Sequence, residues 1–426
     1  MEDRRACMIA LAPSAAAGAL VALALTKGSV AAVGMGLCGG LVAWVFVRWP
    51  WAVLPVSILG GAVISGALGA DRVETVVAVH AAALGIGVAA LTLRCAVDRS
   101  WGRRVPTPAD RAMLALAAGV LLGTAYGLSR GNPPRAVLVA AYEIAVIPAY
   151  FFLATFTLTS PRRFHAAGVL YLSGAAAFAL VGMAVPGQHG GLFSALALAP
   201  VVAVAAAARG SRRALLLALA GVFALDVLLS AYRAMWLATA VALAVLVVHR
   251  AVGLRRAAVT SLAAAAVIGI TAVVLSGGVR ARTELVGVGL ERTGGYRIPE
   301  ARVGMEAFLE EPIAGRGLGQ VERQVFLPGF RVTDVGPVYH VFYVMLLANG
   351  GLIGLALLVW PLAIALRRRR IETLPYRSLL IGFAVAAAFA GPVDGHWELG
   401  LVPALVLVSD RFARSFAQAQ RVGRDA

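Results

Sequence analysis

Charge is scarce in this sequence: 38 Lys plus Arg and 21 Asp plus Glu make up 14% of 426 residues, against roughly 25% in soluble domains. With 60% of the chain apolar, that deficit excludes a soluble globular enzyme. Lysine is nearly missing, Lys27 being the only one. Cysteine is limited to Cys7, Cys38 and Cys95, without paired spacing or a neighbouring histidine cluster, which leaves neither a disulfide framework nor a zinc site. HExxH, Walker and Gly-x-Ser-x-Gly patterns are missing too, so metalloprotease, ATPase and serine-hydrolase readings have no support. No metal or cofactor is expected. Ten-residue alternating barrel strands are also absent.

What fills the chain is a series of apolar stretches of about 20 residues, each long enough to cross a hydrocarbon core of roughly 30 Å. The pattern predicts an all-α, polytopic transmembrane bundle of 12–14 helices. The spans are expected near 7–25, 29–47, 51–68, 75–95, 111–127, 136–158, 165–184, 191–208, 214–229, 234–249, 257–276, 340–364, 377–393 and 398–410. Arg4 and Arg5 before the first span give it a signal-peptide look, but the many later spans favour a retained anchor.

The formal charge of +17 raises the question of nucleic acid, and the placement of the cations answers it. With a cytoplasmic N-terminus, inside loops hold 25 of the 38 cations, including Arg103, Arg104, Arg162, Arg163, Arg212, Arg213, Arg255, Arg256 and Arg367 to Arg370. Short outside loops hold five: Lys27, Arg72, Arg130, Arg135 and Arg233. This is the positive-inside asymmetry, with both termini cytoplasmic. The lipid bilayer, not nucleic acid, is the expected partner.

One segment breaks the pattern of short loops. The chain divides into residues 1–276, about eleven spans; 277–339, a long extracytoplasmic loop; and 340–426, the last spans and a cytoplasmic tail. The loop carries eight cations and eight acids (Glu284, Glu291, Glu300, Glu306, Glu310, Glu311, Glu322 and Asp334) and is neutral. Loops of this length are usually functional or disordered, and the composition is not that of a disordered segment. Pro299 suits a first helical position, and Ala301, Met305 and Phe308 recur at i, i+4 and i+7, so a short amphipathic helix is expected, ending at Pro312. Gly315, Gly317 and Gly319 then make a flexible turn around Arg316 in which close backbone approach is possible; alone, Gly-Arg-Gly-Leu-Gly reads more readily as a turn than as a phosphate cradle.

Polar residues at the outer boundary form three candidate sites. Asp226, Ser230 and Arg233, with Tyr232 and Trp236, lie between two spans, and if the helix continues the first three share a face. An arginine there suits a phosphate or carboxylate; the bland reading is an Asp226–Arg233 ion pair that closes the turn. Arg292, Arg297 and Arg302 recur every five residues, a spacing that leaves most of them solvated or paired, with Arg297 next to the amphipathic helix. His340 begins a span in Pro-Val-Tyr-His-Val-Phe-Tyr and suits general-base work near neutral pH. Its bland reading is an interfacial histidine. Glu143 and His80 are intramembrane candidates, whereas Asp394, His396 and Glu398 read as a solvated loop cluster.

The order and spacing of these sites resemble the O-antigen ligase and polysaccharide polymerase family of bacterial membrane glycosyltransferases. The matching pieces are Leu-Leu-Ser-Ala-Tyr-Arg-Ala-Met-Trp-Leu-Ala (228–238), Arg297 fifteen residues before Pro312 with Gly-Arg-Gly-Leu-Gly following, and His340 leading into Leu-Leu-Ala-Asn-Gly-Gly-Leu-Ile-Gly-Leu (346–355). The resemblance implies a GT-C-like fold in the bacterial cytoplasmic membrane with an extracytoplasmic active site. It also implies metal-independent transfer of a glycan from a polyprenyl-diphosphate carrier to a hydroxyl on a glycan, lipid or protein acceptor. Carried over by position, Arg233 and Arg297 bind the diphosphate and His340 activates the hydroxyl, with Ser230, Tyr232, Asp226, Arg302, Arg316 and Gly317 around the substrate. The chain departs from the family at Tyr232, Ala301 and Val341, where a small residue, Trp and Asn are usual. A secondary transporter or flippase is the alternative, but no internal repeat is visible and the candidates cluster at the outer face. A cysteine introduced at residue 322 is therefore expected to react with an impermeant thiol reagent added outside; protection there overturns the topology.

Overall fold

Helix boundaries follow local chemistry. In the computed structural model, Asp110 opens α1 (Asp110–Ser129) by accepting from the Thr107 N–H at 3.0 Å and the Thr107 hydroxyl at 2.6 Å, a variant of the capping box. Pro134 begins α2 (Pro134–Thr157) and Pro161 begins α3 (Pro161–Ala184), where the missing N–H costs nothing. There follow α4 (Gly191–Ala207), α5 (Gly210–Leu229), α6 (Arg233–Val248), the helical residues 297–310 (α7), α8 (Phe342–Leu366), α9 (Leu374–Ala387) and α10 (Glu398–Asp425). Two short strands, β1 (Glu322–Val325) and β2 (Thr333–Val335), pair antiparallel in the long loop, an addition to the all-α expectation.

The structure describes residues 44–59, 84–92, 106–184, 191–230, 233–249, 297–325, 333–336, 339–389 and 396–425, a few positions in these ranges excepted, and a few isolated positions elsewhere. Among the described residues four helices, α1, α2, α8 and residues 161–182 of α3, are long and apolar enough to cross a membrane; α4 and α6 are shorter apolar helices. Leu121 and Leu122 of α1 are each 72% exposed, which suits helices facing acyl chains. The expected span 7–25 and most of 29–47, 75–95 and 257–276 lie outside the described residues, as does half of 51–68.

The chain gathers into two compact units, residues 1–106 with 152–171, and 107–151 with 172–426. In the first unit Phe46, Val53 and Ile58 are buried, and Gly87 lies against Val53 and Phe46. The second holds every candidate side chain that can be described. Its helices approach closely through small residues: a Cβ at Gly382 of α9 would lie 2.2 Å from the Ala238 carbonyl of α6, and one at Gly400 of α10 would lie 1.8 Å from the Ile147 carbonyl of α2. Such contacts are how apolar helices associate where hydrophobicity gives no preference for a neighbouring helix over lipid.

α8 is interrupted at Gly351, whose φ of 60° and ψ of −157° take it out of the helix. The broken backbone finds its partners in residues 312–317. The Ala348 and Asn349 carbonyls accept from the Arg316 and Gly317 N–H groups at 2.9 and 3.0 Å, and the Leu352 and Ile353 N–H groups donate to Pro312 and Ile313 at 2.9 and 3.1 Å. Asn132 Nδ2 donates to Leu318 O at 3.0 Å, and Glu311 pairs with Arg130 and accepts from Tyr126. The Gly-Arg-Gly-Leu-Gly turn is therefore a packed backbone crossing, with the close backbone approach expected of its glycines. At Gly317 (φ 84°) a Cβ would meet the Gly127 Cα at 2.8 Å.

Gly127→Ala puts a methyl 2.2 Å from the Leu318 carbonyl. Gly317→Ala adds a left-handed backbone penalty of about 1–2 kcal/mol to its own contact. Both are expected to lower the melting temperature of the detergent-solubilised protein markedly, whereas Gly131→Ala, at φ 79° with open space around it, should cost only the backbone term. Equal melting of the three variants would contradict the crossing.

Candidate functional site

α7 is phased one residue from expectation. Ala301, Met305 and Phe308 are only partly buried, while Glu300, Gly304 and Ala307 turn inward. Gly304 explains the phase: a Cβ there would meet Val344 at 2.4 Å and the Tyr339 ring at 2.8 Å, so α7 lies directly on the start of α8. That contact buries Glu300 to 7% exposure. Burial of a carboxylate demands partners, and His340 supplies them.

The His340 backbone N–H donates to Glu300 Oε2 at 2.9 Å, and its ring Nδ1 lies 2.9 Å from Oε2 and 3.1 Å from Oε1. With Nδ1–H directed at a carboxylate, Nε2 is left as the basic nitrogen of the neutral ring. The His340 side chain is 43% exposed and that of Glu300 9%, so the ring can meet a substrate while its anchor stays covered. Tyr339 is fully buried. Burial, reinforced by the Glu322 and Glu300 charges against an opposing Arg316, holds its phenol well above the usual value.

Arg297 lies one turn before Glu300 on α7, at the i, i+3 spacing of neighbours on one helix surface. Its guanidinium donates to the Phe389 carbonyl, just past the end of α9, at 3.2 Å, while Nε is buried without a hydrogen-bond partner among the described residues. Arg233 reaches the same end by helix register. Ala238 of α6 faces Gly382 of α9, and the far end of α6, through Val248, shares a groove with Leu374 and Arg377. The two helices are thus antiparallel, and Arg233, five residues before Ala238, is level with Ala387, five residues after Gly382. Tyr343 of α8 donates to the Ala384 carbonyl at 2.7 Å, which brings the His340 end of α8 to the same level. Arg233 is half-buried and has no ion-pair partner among the described residues.

Other expected residues do not join this group. The helix does not continue through Ser230: α5 ends at Leu229, and the Ser230 hydroxyl and the Trp236 indole both donate to the Val227 carbonyl at 2.7 Å. Asp226 is fully buried and accepts from Ser194 at 2.7 Å instead of pairing with Arg233. Arg302 pairs with Glu306 at 3.0 Å on an exposed face, in line with its expected solvation. Arg316 is held between Glu310 and Glu322, and Gly317 serves the backbone crossing. Tyr232, Arg292, His80 and Asp394 lie outside the described residues. Glu143 is fully buried in α2.

Two features escaped the sequence reading. In the sequence Glu300 is one of eight acids that balance the loop's cations; the small residues Gly304 and Ala307, at i+4 and i+7, are the signal that this face packs. His396 and Glu398 were read as solvated, yet they are 6% and 3% exposed. Their side chains bond to each other, and the His396 ring stands edge-on to Phe342 with centroids 4.5 Å apart. This second pair backs the first turn of α8. Among the described residues, no group of three or more His, Cys, Asp or Glu side chains is arranged to hold a metal ion.

A buried carboxylate bonded to both the backbone and the ring of one histidine should matter far more to stability than an exposed pair on the same helix. Glu300→Ala is expected to cost about 2 kcal/mol, from hydrogen bonds to a charged group, and Arg302→Ala less than about 0.5 kcal/mol, both read from thermal melting; equal shifts would contradict the assignment. Comparison with protein-family models and with curated proteins returns no match.

Proposed function

We propose that the protein is a membrane glycosyltransferase that moves a glycan from a polyprenyl-diphosphate carrier to an acceptor hydroxyl at the outer face of the cytoplasmic membrane. The observation that carries this reading is the Glu300–His340 dyad, with Arg297 one turn away and Arg233 at the same end of the α6–α9 pair. An exposed imidazole anchored at Nδ1 suits a general base, and two arginines without carboxylate partners among the described residues are what a diphosphate needs.

In the proposed reaction the acceptor O–H gives its proton to His340 Nε2 while its oxygen forms a bond to the anomeric carbon of the donor sugar. The bond from that carbon to the diphosphate breaks, and the carrier diphosphate leaves with the electron pair. Arg233 and Arg297 neutralise the negative charge that grows on the leaving group, which lowers the barrier most where water is excluded. The Glu300 carboxylate, bonded to Nδ1, stabilises the imidazolium that forms. No metal is required, because arginine supplies the charge without having to be deprotonated. In this reading the fold is of GT-C type, and polymerase and ligase differ only in the acceptor.

The test incubates purified protein in detergent with a polyprenyl-diphosphate-linked oligosaccharide and follows carrier release, with and without a chelator. Release is expected to resist the chelator, to fall by about 10²–10⁴-fold in His340→Ala, and to be lost in Arg233→Ala and Arg297→Ala with folding retained. No release by the wild type, but carrier-linked glycan moving across vesicles, would favour a transporter and overturn the proposal.

A further inference from the structure

At the other end of the α6–α9 pair lies a groove of about 760 Å³ lined by Val241, Ala244, Val245, Val248, His249, Leu374 and Arg377. Its wall on α6 is a stripe at i, i+3, i+4 and i+7, about 10 Å long at the helical rise. Val248 is 81% exposed, so the stripe is an apolar surface on whose end none of the described residues packs. The groove closes on cationic chemistry. Arg377 Nε is buried and has no hydrogen-bond partner among the described residues, and Arg369 is near enough to oppose its charge. The buried acid of this region, Asp410, already serves Arg368 at 3.9 Å, Arg370 at 3.3 Å and Arg414 at 3.0 Å. Arg377 thus stands at the head of an apolar channel with repulsion on one side and no described carboxylate to offset it.

We infer that this groove is a binding site for one anionic phospholipid, with an acyl chain along Val241, Ala244, Val245 and Val248 and the phosphate on Arg377. Charge complementarity selects the occupant: a zwitterionic lipid brings its own cation to a site already crowded with two, and a free phosphate leaves the apolar wall open. Cationic pockets between membrane helices bind anionic headgroups in this way, each arginine being worth about 1 kcal/mol near the surface. The site lies at the opposite end of α6 from Arg233, so it is separate from the proposed carrier site and does not depend on the proposed reaction.

Native mass spectrometry of the full-length protein, delipidated and titrated with palmitoyl-oleoyl phosphatidylglycerol or the matching phosphatidylcholine, tests the inference. Phosphatidylglycerol is expected to be retained in preference. Arg377→Gln should weaken that retention by about fivefold, and Arg377→Lys by less. Ala244→Phe, which fills the groove from an exposed position, should weaken the retention of phosphatidylglycerol with Arg377 intact. Equal retention of the two lipids by the wild type would overturn the proposal, and this comparison needs no variant to fold. Retention unchanged in both Arg377→Gln and Ala244→Phe would overturn it too. Inorganic phosphate competing as well as the intact lipid would reduce the site to an anion contact and remove the acyl-chain assignment.

Discussion

The backbone groups released at Gly351 must find partners, because an unpaired N–H or C=O among apolar helices costs several kcal/mol. Residues 312–317 supply them, donating to Ala348 and Asn349 and accepting from Leu352 and Ile353. The helix break and the loop therefore specify each other. Because the loop is fixed against α8, α7, which leads directly into it, is fixed as well, and α7 delivers Glu300 to His340. The approach is so close that glycine is required at both faces of the crossing, Gly127 and Gly317.

The same constraint accounts for the charge distribution around the site. Arg130, Arg316, Glu310, Glu311 and Glu322 are consumed in ion pairs that hold the loop. Arg302 spends its charge on a solvated neighbour. Arg297 and Arg233 are different, having no carboxylate among the described residues, and they sit with the dyad at one end of the helix pair. That residue of uncompensated positive charge beside an anchored imidazole is what the proposed diphosphate chemistry uses.

Much of this was legible in the sequence. Apolar runs marked the helices of the second unit to within a few residues, apart from α9, which ends at Ala387 where 393 was expected, and the C-terminal helix, which extends to Asp425 where the apolar run ends near residue 410; its polar half carries Arg414 and Asp410 in a pair at i, i+4. Arg233, Arg297 and His340 were found as polar residues where apolar ones would cost less. Side-chain partnerships were less visible. Glu300 does not stand out because the apolar periodicity runs through Ala301, Met305 and Phe308, whereas Gly304 and Ala307 mark the packed face. His396 and Glu398 looked solvated because a loop was expected where the chain turns back into the bundle beside Phe342. The ion pairs of Arg316 were not visible because its partners, Glu310 and Glu322, each lie six residues away in sequence and meet it only through the turn.

The central claim is that Glu300 acts through His340, and a double-mutant cycle on the transfer rate addresses it most directly. Glu300→Gln, His340→Ala and the double variant would be compared by carrier release at saturating donor. If the carboxylate works only by anchoring and stabilising the ring, the double variant is no slower than His340→Ala alone. Losses that multiply, with the double variant slower by the product of the two single effects, would mean that the two residues act independently and that the dyad is not the catalytic unit.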